Sequence, residues 1–257
     1  MDPATLVGVG LAFVVIVGAN IMEGGSPMSL LLIPPMLLVF GGTIGAAIAG
    51  GTMTDAKNAV KSLQRAFTGK AQPAADLVPV VVSLAEKARR EGLLALEDAA
   101  RGLDDEFLQR GVTMAVDGTD PEELREILEG EVYAKRGADK QSAKFFTDMG
   151  GYAPTIGIVG TVMGLVHVLE NLAQPEELGH LIAAAFIATL WGVLSANVLW
   201  LPIASRLKRL GELEASRMEL AIEGVIAIQA GSNPRVVAQK LRSLLTEQER
   251  EPEQAAA

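Results

Sequence analysis

Two stretches of this chain, residues 1–56 and 145–205, contain no lysine or arginine. All 22 basic residues therefore fall in two blocks, fourteen in 57–144 and eight in 206–250. A helix that crosses the hydrocarbon core of a bilayer needs about 20 apolar residues, and each basic-free stretch is long enough for two crossings. The expected spans are Thr5–Met22 and Met28–Ala49, joined by EGGSP, then about Gly150–Leu169 and Leu178–Ile203, joined by ENLAQPEE. Four buried core helices of a soluble protein would avoid basic residues this thoroughly only by coincidence. A mean hydropathy of +0.31 with 49% hydrophobic residues agrees with the membrane reading.

The fold class expected is all-α: a polytopic membrane protein with four transmembrane helices and a helical cytoplasmic domain. The segments are 1–50, transmembrane helices 1 and 2; 51–148, a cytoplasmic helical domain; 149–205, transmembrane helices 3 and 4; and 206–257, a cytoplasmic helical tail. Lysine and arginine near helix ends mark the cytoplasmic side, so both basic blocks and both termini are expected there. A cleaved signal peptide fits poorly, because MDPATLV has no basic leader. The chain has no cysteine, which excludes disulfides and thiolate metal sites. A net charge of −9 with interleaved signs points away from nucleic acid and toward a protein partner of mixed charge.

In the middle block, Ala56, Val60, Leu63 and Phe67 repeat at helical spacing, as do Leu77, Val80, Val81, Leu84 and Ala88. Such stripes indicate packing rather than catalysis. Asp120 before Pro121, with Glu123 placed for a capping box, marks a helix start, followed by Leu124, Ile127, Leu128 and Val132 on one face. Asn233 before Pro234 marks another. The last residues, 249–257, are too polar and too rich in alanine, glutamate and proline to order by burial. Glu86–Asp98, EKARREGLLALED, sets Arg89, Arg90, Glu91, Glu97 and Asp98 around an apolar GLLAL run. A solvated helix face explains that pattern, and so does a surface that steers a charged partner.

Within the third expected span, Gly160 and Gly164 form a GxxxG pair that permits close helix approach. Pro154, Gly157, Thr161, Gly164 and Val168 share one stripe, while Ala185, Thr189, Gly192 and Ala196 share a face of the fourth span. Each threonine hydroxyl either bonds the carbonyl one turn back or lines a polar path between those faces. Pro154 and Pro202 sit where proline is tolerated near helix ends and kinks. His167 is expected to donate a hydrogen bond between helices. No carboxylate occupies the middle of any expected span, although ion pathways usually employ one. Any ion carrier must therefore come from another chain. No nucleophile with a positioned base and no metal-ligand cluster is present in the sequence, so neither a catalytic residue nor a metal or cofactor is expected.

APTIGIVGTVMGLVHVL and IAAAFIATLWGVLSANVLWLPIASRLK, with LLVFGGTIGA, ARREGLLALED and EGVIAIQAGSNPRVVAQKLRSLL, resemble the flagellar motor stator subunits of the MotA/PomA family, in the MotA/TolQ/ExbB superfamily. The resemblance implies a homo-pentamer in the cytoplasmic (inner) membrane lipid, surrounding a MotB/PomB-type subunit that supplies the ion-carrying aspartate. Transported H+ or Na+ then drives rotation of the rotor protein FliG. It further implies that Thr161 and Thr189 line the ion pathway and that Pro154 and Pro202 couple ion flow to movement. Arg89, Arg90, Glu97 and Asp98 would contact the rotor, while Gly157, Gly160 and Gly164 pack helices. An ExbB/TolQ-type energy-transducing channel is the alternative, although such proteins usually carry three membrane helices. A non-conducting scaffold would leave the polar stripe and the charged segment without a role.

Overall fold

The computed structural model describes residues 4–247 and 249–250, and its regular elements there are all helical. They are α1 Ala4–Met22, α2 Ile33–Ala49, α3 Met53–Thr68, α4 Leu77–Glu91, α5 Leu96–Arg101, α6 Glu106–Val116, α7 Pro121–Glu170, α8 Pro175–Leu194, α9 Leu201–Gln229 and α10 Pro234–Leu244. Short 3-10 turns and one π-helical turn, Ser195–Trp200, complete the path. Of the expected irregular end, residues 251–257 lie outside the described residues, and 249–250 are helical.

Two compact units divide the chain, one of residues 1–70 and 139–208, the other of 71–138 and 209–257. Helices α7 and α9 each contribute residues to both.

In the first unit, α1, α7 and the run from α8 through α9 are long and apolar enough to cross a membrane. The second expected span is shorter than its sequence suggests: α2 has 17 residues and starts at Ile33, not Met28. The reason is Pro34–Pro35. Proline supplies no N–H and disfavours helical geometry in the residue before it, so the pair is accommodated only in a first turn. Residues 27–30 form a 3-10 turn instead.

The remaining N-terminal signals are local and behave as local chemistry requires. Thr52 and Asp55 form a reciprocal capping box on α3, and the threonine bonds hold the Asp55 carboxyl below its ordinary range. The Asp120 carboxylate accepts the Glu122 N–H at 2.9 Å, starting α7. Asn233 caps α10 by accepting the Arg235 N–H at 3.0 Å. The expected cytoplasmic helix at Asp120 and the third membrane span are one continuous 50-residue helix.

One stripe is out of phase with expectation. On α3 the buried residues are Ala59, Ser62 and Ala66, with Leu63 and Phe67 partly covered, whereas Val60 is 71% exposed. Small residues let α3 lie close to Ala143, Phe146 and Met149 of α7 and to Ile203, Ala204 and Leu207 of α9. Arg65 and Asp139, both largely buried, form an ion pair there.

The second unit has the larger apolar core. Leu77, Val78, Val81, Leu84 and Ala85 of α4 pack with Leu124, Leu128 and Val132 of α7, Ile222 and Val225 of α9, and Leu241 of α10. Ile127, expected on the buried face, is 42% exposed. Polar ties register these helices. Asp105 accepts the Leu108 N–H at α6 and the Arg217 Nε–H from α9, each at 2.9 Å. Glu223 of α9 accepts from Arg125 of α7 and from Lys240 of α10, each at 2.6 Å. Arg125 first, then Lys240, hold the Glu223 carboxyl below its ordinary range.

Candidate functional site

The small residues of α7 bring it against α8 almost backbone to backbone. A Cβ added at Gly157 would lie 2.8 Å from the Ala188 carbonyl oxygen and 3.1 Å from the Gly192 Cα. One at Gly192 would lie 2.7 Å from the Ala153 carbonyl oxygen. Gly160 meets the Ala188 Cβ and Leu38, and Gly164 meets Ala185.

This approach sets Thr161 opposite Thr189. The Thr161 hydroxyl lies 3.1 Å from the Gly157 carbonyl of its own helix and 2.9 Å from the Ala185 carbonyl of α8, and the two threonine hydroxyls bond each other. The Thr161 hydroxyl thus reaches both the carbonyl one turn back on its own helix and the Thr189 hydroxyl of α8. Carbonyls only accept, and Thr161 has one proton to give. When Thr161 donates to a carbonyl, Thr189 must be the donor in the hydroxyl pair. The result is four oxygens, two hydroxyl and two carbonyl, gathered at one half-buried point between small residues. Oxygen donors without net charge suit a hard cation or a hydrated proton passing an acid held elsewhere.

Pro154 lies inside α7, three residues before Gly157, and Pro202 lies at the start of α9 immediately beyond the π turn. Each proline supplies no N–H to the helical ladder where it sits. Both are half-buried. His167 is exposed and bonds along its own helix, with Glu170 at 3.4 Å and Asn171 at 3.5 Å, not between helices as expected. Its position in the last turn gives its ring neighbours on i+3 and i+4 before any other helix is in reach.

Trp191 was not legible as a site residue. Its indole N–H donates to the Leu30 carbonyl at 2.7 Å, and its ring packs with Phe13 and Phe40. The signal was Pro34, which deprives that carbonyl of a donor four residues on. Trp191 supplies it, fixing the entry of α2 against α8.

In the second unit, Arg89 and Arg90 occupy the last turn of α4, and Glu97 and Asp98 the first turn of α5. Gly92, at φ +87°, turns the chain between them, a conformation that costs other residues strain. Each charge sits at the helix end its sign favours. Leu94, between them, is 77% exposed. Arg101 completes the group by pairing with Glu97 at 2.6 Å and Asp98 at 3.7 Å. The i,i+4 spacing of Glu97 and Arg101 was its available sequence signal.

The comparisons with known proteins decide the family. Residues 99–220 match the MotA/TolQ/ExbB proton channel family, and residues 6–92 match the motility protein A N-terminal family. Motility protein A of Bacillus subtilis is 38% identical over 97% of this chain and 93% of its own length. This chain is a member of the MotA/PomA stator family. Chemotaxis protein PomA of Vibrio alginolyticus is 34% identical over 97% of this chain and 98% of its own. The flagellar MotAB stator complex of Bacillus subtilis superposes with a TM-score of 0.90 at 38% identity, covering 97% of this chain and 98% of that one. The MotAB structure from C. jejuni gives 0.92 at 31% identity, over 96% and 97%. Family membership and three helices of membrane-spanning length and apolarity make this MotA-family chain a membrane protein.

Proposed function

We propose that this chain is the A-type subunit of a flagellar motor stator in the inner membrane, converting the downhill passage of H+ or Na+ into rotation of the flagellar rotor. The observation that carries the reading is end-to-end likeness to MotAB stator chains. The motility and chemotaxis names of its relatives favour it over an ExbB/TolQ-type envelope transducer.

In this reading α2 joins the three longer apolar helices as a fourth span, both termini are cytoplasmic, and five copies surround the membrane helices of a MotB/PomB-type partner. The partner brings the aspartate that these spans lack. The Thr161–Thr189 oxygens line the path beside that acid, and their neutral character lets an ion pause and leave. Pro154 and Pro202 each remove one donor from the helical ladder, so both helices can bend there at low cost when the acid changes charge. Arg89, Arg90, Glu97 and Asp98, with Arg101, present alternating signs to the rotor protein FliG. The work is conformational: ion binding favours one of two states, and the rotor surface is carried along.

The test is co-expression with an aspartate-bearing B-type subunit in a non-motile strain lacking its own stator. Restored swimming that disappears when the aspartate is changed to alanine supports the proposal. Failure to co-purify with any such partner would sink it. Swimming speed with sodium removed at constant proton-motive force assigns the ion.

A further inference from the structure

Leu93, Leu94 and Leu96 share one turn and meet different surroundings. Leu96 is fully buried in the core of the second unit and Leu93 packs partly against it, whereas Leu94 stands in solvent. Between residues 71 and 126 it is the one large apolar side chain that is exposed. A lone exposed leucine on a flat surface needs no explanation. This one stands on a closed turn: the Gly92 N–H donates to the Ala88 carbonyl at 2.8 Å, and the Ala95 N–H to the Gly92 carbonyl at 3.2 Å. Leu93 and Leu96 anchor the turn on either side, so the fold itself holds the tip outward.

Charge surrounds the tip in two unmixed groups. On the α4 side, Arg89 is in no ion pair among the described residues, and Arg90 reaches only its neighbour Glu91, at 4.0 Å. On the α5 side, Glu97 and Asp98 share Arg101. Among the described residues no ion pair crosses the turn to join the α4 arginines to the α5 carboxylates. Opposite signs therefore stay apart, with an apolar side chain between them. Contacts between proteins have this anatomy, an apolar centre that loses its water and a polar rim around it.

We propose that Leu94 is the apolar anchor of the rotor contact, entering a socket on the rotor protein that carries a carboxylate on one side and a basic side chain on the other. The inference rests on the stator reading above and adds the residue that holds the contact together. Exposed charges steer and orient a partner but hold it weakly in water. A leucine that leaves water on contact adds affinity that salt does not screen. The socket's carboxylate faces Arg89 and Arg90, and its base faces Glu97 and Asp98. Because the turn is already fixed, little ordering is needed on binding. A second copy of this chain would match both signs only through a two-fold contact, which joins copies in pairs and does not fit a ring of five. An anionic membrane surface would repel Glu97 and Asp98.

The test uses the full chain with its B-type partner. In cells, a photo-reactive residue at position 94 should capture the rotor protein, and one at Val60, also exposed, should not. With the complex in membrane-mimetic discs, Leu94→Ser should weaken binding of purified rotor protein about tenfold, the factor that goes with losing most of one buried leucine, and cells carrying it should lose swimming. Leu94→Met keeps the volume and should keep both. Neither variant should move the unfolding midpoint, because the side chain is exposed, whereas Leu93→Ala should lower it. Capture of a second copy or of the B-type partner, equal capture at both positions, a lowered midpoint in Leu94→Ser, or its undiminished swimming would overturn the proposal. If the wild-type complex itself restores no swimming, the stator reading falls and the anchor with it; wild-type swimming that is indifferent to Leu94 removes the anchor alone.

Discussion

Gly157→Ala puts the packing of α7 on α8 to its most direct test. The new Cβ would meet the Ala188 carbonyl oxygen at 2.8 Å and the Gly192 and Thr189 Cα atoms at 3.1 and 3.2 Å. These are backbone atoms, so no rotamer change relieves them. Ordinary contact begins near ~3.4 Å, and the helices must part by about 0.6 Å locally. Thr161 is one turn away, and a matching displacement stretches its 2.9 Å approach to the Ala185 carbonyl to about 3.5 Å, the limit of a hydrogen bond. Overpacking costs about 1–3 kcal/mol and the weakened bond about 1 kcal/mol. The assays are the unfolding midpoint of the purified complex and swimming of cells carrying the variant as the sole copy. The expected result is a clear fall in midpoint and a larger loss of swimming than Gly151→Ala causes, since nothing lies within 4 Å of a Cβ at Gly151. Equal behaviour of the two variants would refute the close-packing argument.

Thr189→Val keeps the side-chain shape and removes the hydroxyl that bonds Thr161. Ion flux in vesicles should fall while assembly with the partner persists, and unchanged flux would leave the hydroxyl a purely structural role. Glu97→Lys should impair motility while costing under about 0.5 kcal/mol of stability, because its pair with Arg101 is an exposed i,i+4 contact. Adding Arg101→Glu restores opposite signs on the helix; recovery of stability without motility is expected, and recovery of both would argue that the pair acts within the helix alone. Glu223, held below its ordinary range by Arg125 and Lys240, stabilises the second unit above the unfolded carboxylate value of about 4.3. That contribution disappears as pH falls through the lower folded value. Glu223→Gln should therefore cost at most about 1 kcal/mol of unfolding free energy at neutral pH, discounted for partial exposure, with the difference from wild type closing in acid; a difference that grows in acid would reverse the assignment.

What the sequence disclosed was whatever depends on near neighbours. The caps at Asp120 and Asn233, the glycine face of α7 and the run of α1 follow from residues within one or two turns. The α2 start was hidden because apolar residues surround Pro34–Pro35, and hydropathy alone does not register a missing N–H. Val60 misled the phase of α3 because a large apolar residue need not face the core when smaller ones permit closer approach. Trp191 and Leu30 are 161 positions apart, and only the folded chain joins a surplus donor to an acceptor that a proline left without one. The threonine pair was legible as two faces but not as a bonded unit, since the meeting depends on the separation the glycines allow.

The six residues SANVLW, Ser195–Trp200, also act on the chain as an insertion does in a coding frame. A π turn adds about one residue to the helix, and one residue is about 100° of rotation. Every side chain beyond Trp200 is thereby re-addressed. Ile203, Ala204 and Leu207 reach the α3 side of the first unit, while Thr189 keeps its appointment with Thr161. One almost unbroken helical run thus presents two differently aimed faces, and neither face had to yield its residues to the other.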